Sequence, residues 1–245
     1  GDVIYVASNG KYVGYLTNNG STFTGTISDA SAGSPLYFYF MGNKTPSETL
    51  TAGTTSTLTV NISDQTDEDH LPVISAAPSN ENFSSSTYTY TATLLNKCAL
   101  VRFDVTSTTT APTIISGVYN TVSVNLSGSG TFTYSGNGIR LAGNSTVSTT
   151  ETHWAILLPN ASAVSANDGV ALYNAITTSS TSATCDAIPA IADNNYIYGD
   201  AAIKVSVGEN CGVGVFTVNS SGKQVCFSKG NLYTNSGSYY LQDNQ

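Results

Sequence analysis

The chain has 245 residues, 10% of them charged and 40% hydrophobic, with eight Lys or Arg against sixteen Asp or Glu and a net charge of −8. Negative charge repels phosphate backbones and the few basic residues are scattered, which excludes nucleic-acid binding. The hydrophobic share excludes a disordered chain, and no apolar run approaches the roughly 20 residues that a membrane-spanning helix needs.

An average soluble domain is about one-quarter charged. The shortage removes the groups from which acid–base, phosphate and metal chemistry are built, so the expectation is a protein that is not an enzyme. Ser, Thr, Asn, Gly and Tyr take the place of charge. Without Lys and Glu, exposed helix faces are hard to build, whereas Thr, Tyr, Val and Ile suit a half-buried pleated surface. The expected class is therefore all-β, and the length gives two domains as the natural division.

Gly1 leads directly into strand-like sequence, as expected of a start left when an export signal or anchor is removed. In DVIYVAS, Ile4 and Val6 share one face and Val3 and Tyr5 the other. Asn9-Gly10 then supplies a hairpin turn, both residues tolerating positive φ, into KYVGYLT. A second turn at Asn18-Asn19-Gly20 leads to STFTGTIS, completing an expected meander. SPLYFYFMG is apolar on both faces, which predicts a central strand. STLTVNIS follows, alternating Leu58, Val60 and Ile62. TYTYTATLL alternates Tyr88, Tyr90, Ala92 and Leu94 with Thr, and KCALVRFDV alternates Cys98, Leu100, Arg102 and Asp104 with Ala99, Val101, Phe103 and Val105.

Thr106 to Pro112, TSTTTAP, has the polar, proline-terminated character of a linker. After it, TIISGVYNTVSVNLS, TFTYSG, GIRLAG, THWAILLP, GVALYNAIT, ATCDAIP and NYIYGDAAIKVSV supply a second set of short alternating segments. Short strands at this spacing are the signature of a sandwich, and the chain shows it twice. The expected organisation is an N-terminal β-sandwich over 1–110, a C-terminal β-sandwich over 111–208 and a β-hairpin tail over 209–245. In the tail, ENCGVGVFTV and KQVCFSKGNL flank a Ser220-Ser221-Gly222 turn, followed by GSYYLQDNQ. Ala161 to Asp168 has room for one helical turn, and no longer segment has helical periodicity.

Residues with chemistry to offer are few. Asp64, Asp67, Glu68, Asp69 and His70 bunch in DQTDEDH, which lacks both the alternating ligands and the glycine of a calcium loop; a solvated loop is the expectation. No G-x-S-x-G elbow presents a serine, and the second histidine, His153, is expected to be structural. GSGTFT and GVGVFT lack the third glycine and the helix that a phosphate cradle needs. Tyr37, Phe38, Tyr39 and Phe40 lie in one strand, where packing is the expected use. Cys98, Cys185, Cys211 and Cys226 contain no CxxC pair. A Cys98 thiol in an apolar strand is expected to be buried and inert, and a Cys211–Cys226 bridge stays open. No catalytic, cofactor-binding or metal-ligating residue is expected.

In order along the chain, GDVIYV, YVGYLTNNGSTFTGTIS, LYFYFMGN, VNISDQT, YTATLLNKCALVRFDV, THWAILLP and IPAIADNNYIYGDAAIKVSV resemble the fimbrillin-like surface proteins of Bacteroides-type bacteria, across roughly residues 1–208. The resemblance implies two tandem transthyretin-like, Greek-key β-sandwiches, exported as an outer membrane lipoprotein and found extracellularly at the cell surface. It also implies a fimbrial subunit or adhesin that joins other subunits, or copies of itself, by β-strand addition. Main-shaft subunits of some relatives use an arginine-containing protease site. Here Arg102 and Arg140 are the only arginines and both lie in strand-like stretches, which favours an accessory or tip component. The alternative is a carbohydrate-binding surface module, with a surface glycan or protein as ligand. The tail resembles the strand that precedes a further module in some large surface lipoproteins, so the natural protein is expected to continue beyond Gln245.

Overall fold

The computed structural model describes residues 1–84, 89–107, 110–128, 130–166, 170–172, 184–193 and 195–207, together with strands at 215–217, 224–226, 231–235 and 238–242. It is an all-β structure of largely antiparallel sheets packed as sandwiches, with two single 3-10 turns among the described residues, at Glu68–His70 and Gly199–Ala201. The first strands are β1 (Val3–Ser8), β2 (Lys11–Asn18), β3 (Phe23–Thr24), β4 (Pro35–Met41), β5 (Thr57–Asn61), β6 (Asp64–Gln65), β7 (Ile74–Asn82) and β8 (Leu95–Asn96). The middle of the chain forms β9 (Ala99–Ser107), β10 (Thr113–Ile115), β11 (Thr121–Asn125), β12 (Thr131–Ser135), β13 (Ile139–Leu141), β14 (Thr150–Leu157) and β15 (Val170–Leu172). Then follow β16 (Thr184–Cys185), β17 (Tyr196–Ile197), β18 (Ile203–Val207), β19 (Val215–Thr217), β20 (Gln224–Cys226), β21 (Asn231–Asn235) and β22 (Ser238–Gln242).

The opening meander forms as the turn chemistry dictates. Asn9 at φ 51° and Gly10 at φ 75° connect Ser8 to its partner Lys11, a two-residue turn whose twist matches the flanking strands. β4 lies between β1 and β7 in a six-stranded sheet ordered β3-β2-β1-β4-β7-β8. It is covered on both faces, as its apolar composition requires. Tyr39 and Met41 enter one core with Leu58, Val60, Val122 and Val124. Leu36 and Phe38 enter a smaller cluster with Ile4, Val6 and Val13.

Strand pairing crosses the boundary expected at 110. β5, from the first half, pairs antiparallel with β11, from the second, matching Thr57 with Asn125 through Asn61 with Thr121. These two and β12 form the three-stranded sheet that closes the first core. β9 is the centre of the second sandwich instead of the end of the first. It pairs antiparallel with β14 and parallel with β17 and β18. That sheet packs its inner residues Val101, Phe103, Val105, Ala155 and Val205 against Ile115, Ile139 and Leu141 of the four-stranded sheet β15-β10-β13-β6. Burying each such side chain contributes roughly 1.5–3 kcal/mol. The chain passes from one sheet pair to the other five times, between β5 and β6, β6 and β7, β8 and β9, β10 and β11, and β12 and β13.

Gly117 makes one of those crossings possible. It has φ +77°, and a Cβ there would sit 2.8 Å from a Val164 methyl. TIISGVYNTVSVNLS therefore breaks into β10 and β11, which join different sheets.

Other segments also differ from expectation. Among the described residues of TYTYTATLL, 89–94 form no strand. Tyr90 and Leu94 pack over the outer face of the first sheet, with the Tyr90 ring 6.2 Å from Phe38. The strand nearby is β7, which the Pro, Ser and Asn of ISAAPSNEN disguise. β8 pairs only with Ser75 and Ala76, so Pro78 lies where β7 has a strand on one side alone, a position that tolerates proline. The polar stretch from Thr106 begins as strand, since β9 runs through Ser107 with Thr106 matched to Thr150 and Ser206. Residues 161–166 hold no helix, and Asp168 lies outside the described residues. The tail forms two hairpins, β19 with β20 and β21 with β22.

Candidate functional site

The acidic stretch that follows β5 is dispersed by the fold. Asp64 forms an ion pair with Arg140, and its carboxyl is held below the usual range by hydrogen bonds from Thr66 and Arg140, against a desolvation that pushes upward. Asp67 meets His70 Nδ1 at 3.0 Å on the surface. Among the described residues, no three His, Cys, Asp or Glu side chains converge as a metal-binding group.

Gln65 and Glu68 do something the loop reading missed. β14 is an edge strand, and its outward backbone groups are capped by side chains. Gln65, only 1% exposed, accepts from Ile156 N–H through Oε1 at 2.6 Å and donates through Nε2 to the Ile156 carbonyl at 2.9 Å and the Ile62 carbonyl at 3.1 Å. One amide side chain thus takes the place of a neighbouring strand at Ile156. Glu68 Oε1 lies 2.6 Å from His153 Nδ1. The other ring nitrogen of His153 donates to Asn144 Oδ1 at 3.0 Å. That direction follows because Asn144 Nδ2 is committed to the carbonyls of Val105 and Thr149. His153 is 5% exposed with both nitrogens bonded inside the fold, so neither is offered to a substrate.

Cys98 and Cys185 are buried thiols. Burial pushes each thiol up to about 11. Both are expected to resist iodoacetamide at about pH 8.5, where an ordinary thiol is half ionised, reacting at less than about one-tenth of the rate seen in denaturant. Peptide mapping of the labelled chain reads this out, and rapid native labelling of either residue would contradict the buried placement. Cys211 lies outside the described residues, and so does the question of its pairing with Cys226.

The open surface with chemistry is the outer face of the β14–β9–β18 sheet. Alternation along β9 buries Val101, Phe103 and Val105 and turns Arg102, Asp104 and Thr106 outward. Cross-strand register lays them in rows. Trp154 stands opposite Arg102, Thr152 opposite Asp104 and Thr150 opposite Thr106. On the far side of β9, Lys204 is matched to Asp104 and Ser206 to Thr106. Tyr196 and Ile197 pair with Leu100 and Val101, and Tyr198 follows with extended backbone, φ −155° and ψ −178°, before the 3-10 turn, so the chain runs on toward the level of Arg102. Tyr198 is 63% exposed.

At the centre, Arg102 and Asp104 form a two-pronged pair, Nε to Oδ1 at 2.8 Å and Nη2 to Oδ2 at 3.1 Å. Thr152 Oγ1 also donates to Asp104 Oδ1 at 3.0 Å, and Thr106 and Thr150 hydroxyls meet at 2.6 Å. A cavity of about 530 Å³ opens beside the same rows, lined by polar residues that include Asp104, Thr106, Thr150 and Lys204 and by the apolar Ala166 and Val205 with Cys185. The period-2 pattern of KCALVRFDV shows Arg102 and Asp104 on one face; only the register shows that Trp154 stands beside them.

Tyr37, Tyr39, Phe38 and Phe40 all serve the two cores of the first sandwich. No helix among the described residues is long and apolar enough to cross a membrane.

No family model matches the chain, and no curated protein sequence matches it. A solved structure from Bacteroides uniformis, described as a "putative cell adhesion protein", is similar over 84% of this chain and 89% of its own, with 16% sequence identity and a TM-score of 0.43.

Proposed function

We propose that the protein is a non-enzymatic subunit of a cell-surface adhesive structure, a fimbrial component or adhesin that assembles by strand addition and is displayed outside the cell. The observation that carries this reading is the outer edge of β12. This strand closes its sheet on one side, and its residues Thr131, Thr133 and Ser135 are exposed. TFTYS contains neither charge nor proline, the devices that normally blunt a sheet edge. Among the described residues no strand pairs with the outer side of β12, and an edge of this kind templates an added strand, the backbone supplying affinity and alternate side chains supplying specificity. The low charge of the whole chain weakens the repulsion that keeps such edges apart. The resemblance to fimbrillin-like surface proteins supports the same reading.

Two measurements test it. Incubated with synthetic peptides covering its own termini, the protein is expected to give a stable one-to-one complex by native mass spectrometry, and Thr133→Lys is expected to abolish it. Beads coated with the protein are expected to adhere to epithelial monolayers. A protein that takes up no peptide is not a strand-addition subunit; beads that do not adhere remove the adhesin assignment.

A further inference from the structure

We propose that the outer face of the β14–β9–β18 sheet, at Trp154, Arg102, Asp104 and Tyr198, binds a neutral oligosaccharide. The inference rests on the adhesin reading and adds to it the class of ligand.

Three features of the face select that class. The first is shape with composition. Trp154 stands opposite Arg102 on β14, and on the other side of β9 the exposed Tyr198 directly follows β17, whose last residue pairs with Val101. Strands are about 4.8 Å apart, so two side chains carried on opposite sides of β9 start from backbones roughly 10 Å apart, a span suited to two linked sugar rings. Aromatic side chains offer a flat apolar surface with a polar tip, which fits the apolar C–H faces of a pyranose.

The second feature is a preset donor–acceptor pair. Arg102 binds Asp104 through Nε and Nη2, which leaves Nη1 as a donor beside carboxylate oxygens with accepting capacity to spare. Neighbouring hydroxyls of a sugar need one group that donates to them and one that accepts from them, side by side. Thr152 fixes the carboxylate, and the two charged side chains are only 32% and 20% exposed, so little ordering is required on binding. The adjoining cavity of about 530 Å³ adds the hydroxyls of Thr106, Thr150 and Ser206 beside apolar surface from Ala166 and Val205, and its size is that of a small-ligand site.

The third feature is charge. Arg102 and Lys204 are balanced by Asp104 and Asp186, whose Oδ2 accepts the Lys204 backbone N–H at 3.1 Å. The face is neutral on a chain whose net charge is −8. An anionic ligand would meet two carboxylates and a cationic one two basic groups; an uncharged polyol meets no mismatch.

The chain contains one tryptophan, so intrinsic emission reports directly on this face. In titrations of the whole protein with a panel of neutral oligosaccharides, at least one is expected to change Trp154 emission saturably, with a Kd of about 0.1–1 mM. That Kd is expected to shift less than about twofold between low and high salt. Tyr198→Ala, at an exposed position, and Asp104→Asn are each expected to weaken binding at least about tenfold, with unchanged circular dichroism. The inference is overturned if no neutral oligosaccharide changes the emission, if both variants bind as the parent does, or if only charged saccharides bind. Bead adhesion that persists on monolayers stripped of glycans sinks the ligand class and leaves the adhesin reading standing; beads that never adhere sink the adhesin reading.

Discussion

The fragment 1–110, expressed alone, is expected not to fold. In the intact chain, the first core is closed by β11 and β12 from beyond residue 110. Removing them takes away Val122, Val124 and Leu126, all fully buried, and Phe132 and Tyr134 packed beside them. At roughly 1.5–3 kcal/mol per side chain the loss is about 10 kcal/mol, as large as the whole stability of an ordinary domain. The same cut strips β9 of β14, β17 and β18, exposing Phe103 and Val105. Far-UV circular dichroism during urea titration checks the outcome: the fragment is expected to show no cooperative transition, while residues 1–207 show one. A cooperative transition from the fragment would contradict the shared core.

Replacing Gln65 with alanine is expected to destabilise the protein by about 3 kcal/mol. The substitution leaves the Ile156 N–H and carbonyl and the Ile62 carbonyl without their present partner. Each buried group left unpaired costs about 1–3 kcal/mol. Gln65→Glu is expected to be no milder, since it replaces a donor by an oxygen facing two carbonyls. Guanidinium denaturation measures both. A loss under about 1 kcal/mol for the alanine variant would show that the edge of β14 does not depend on this amide.

Much of the fold was legible because period-2 alternation is a local property. DVIYVAS, SPLYFYFMG and KCALVRFDV form strands with the faces their patterns predict, and Asn9-Gly10 makes its turn. What the pattern cannot carry is which strand a strand will meet. β5 and β11 are complementary only in space, and nothing in STLTVNIS says that its neighbour lies some sixty residues on. ISAAPSNEN fails the alternation test yet forms β7, because pairing with β4 overrides its weak propensity. The acidic stretch had the opposite fault. DQTDEDH has the composition of a solvated loop, and several of its members are solvated, but Gln65 is buried and Glu68 bridges to His153. The face around Arg102 was half visible, its charges two residues apart on an otherwise apolar strand; its Trp154 neighbour comes from register.

The five passages between the two sheet pairs have a mechanical consequence. Two sandwiches joined by one linker would swing about it, and a pull on the chain would straighten that joint first. Here a load that separates the halves is shared by five covalent crossings. The halves have no single hinge to open, because the chain joins them at five places. For a component held at one end and tugged at the other, tension is resisted by the weave of the chain itself.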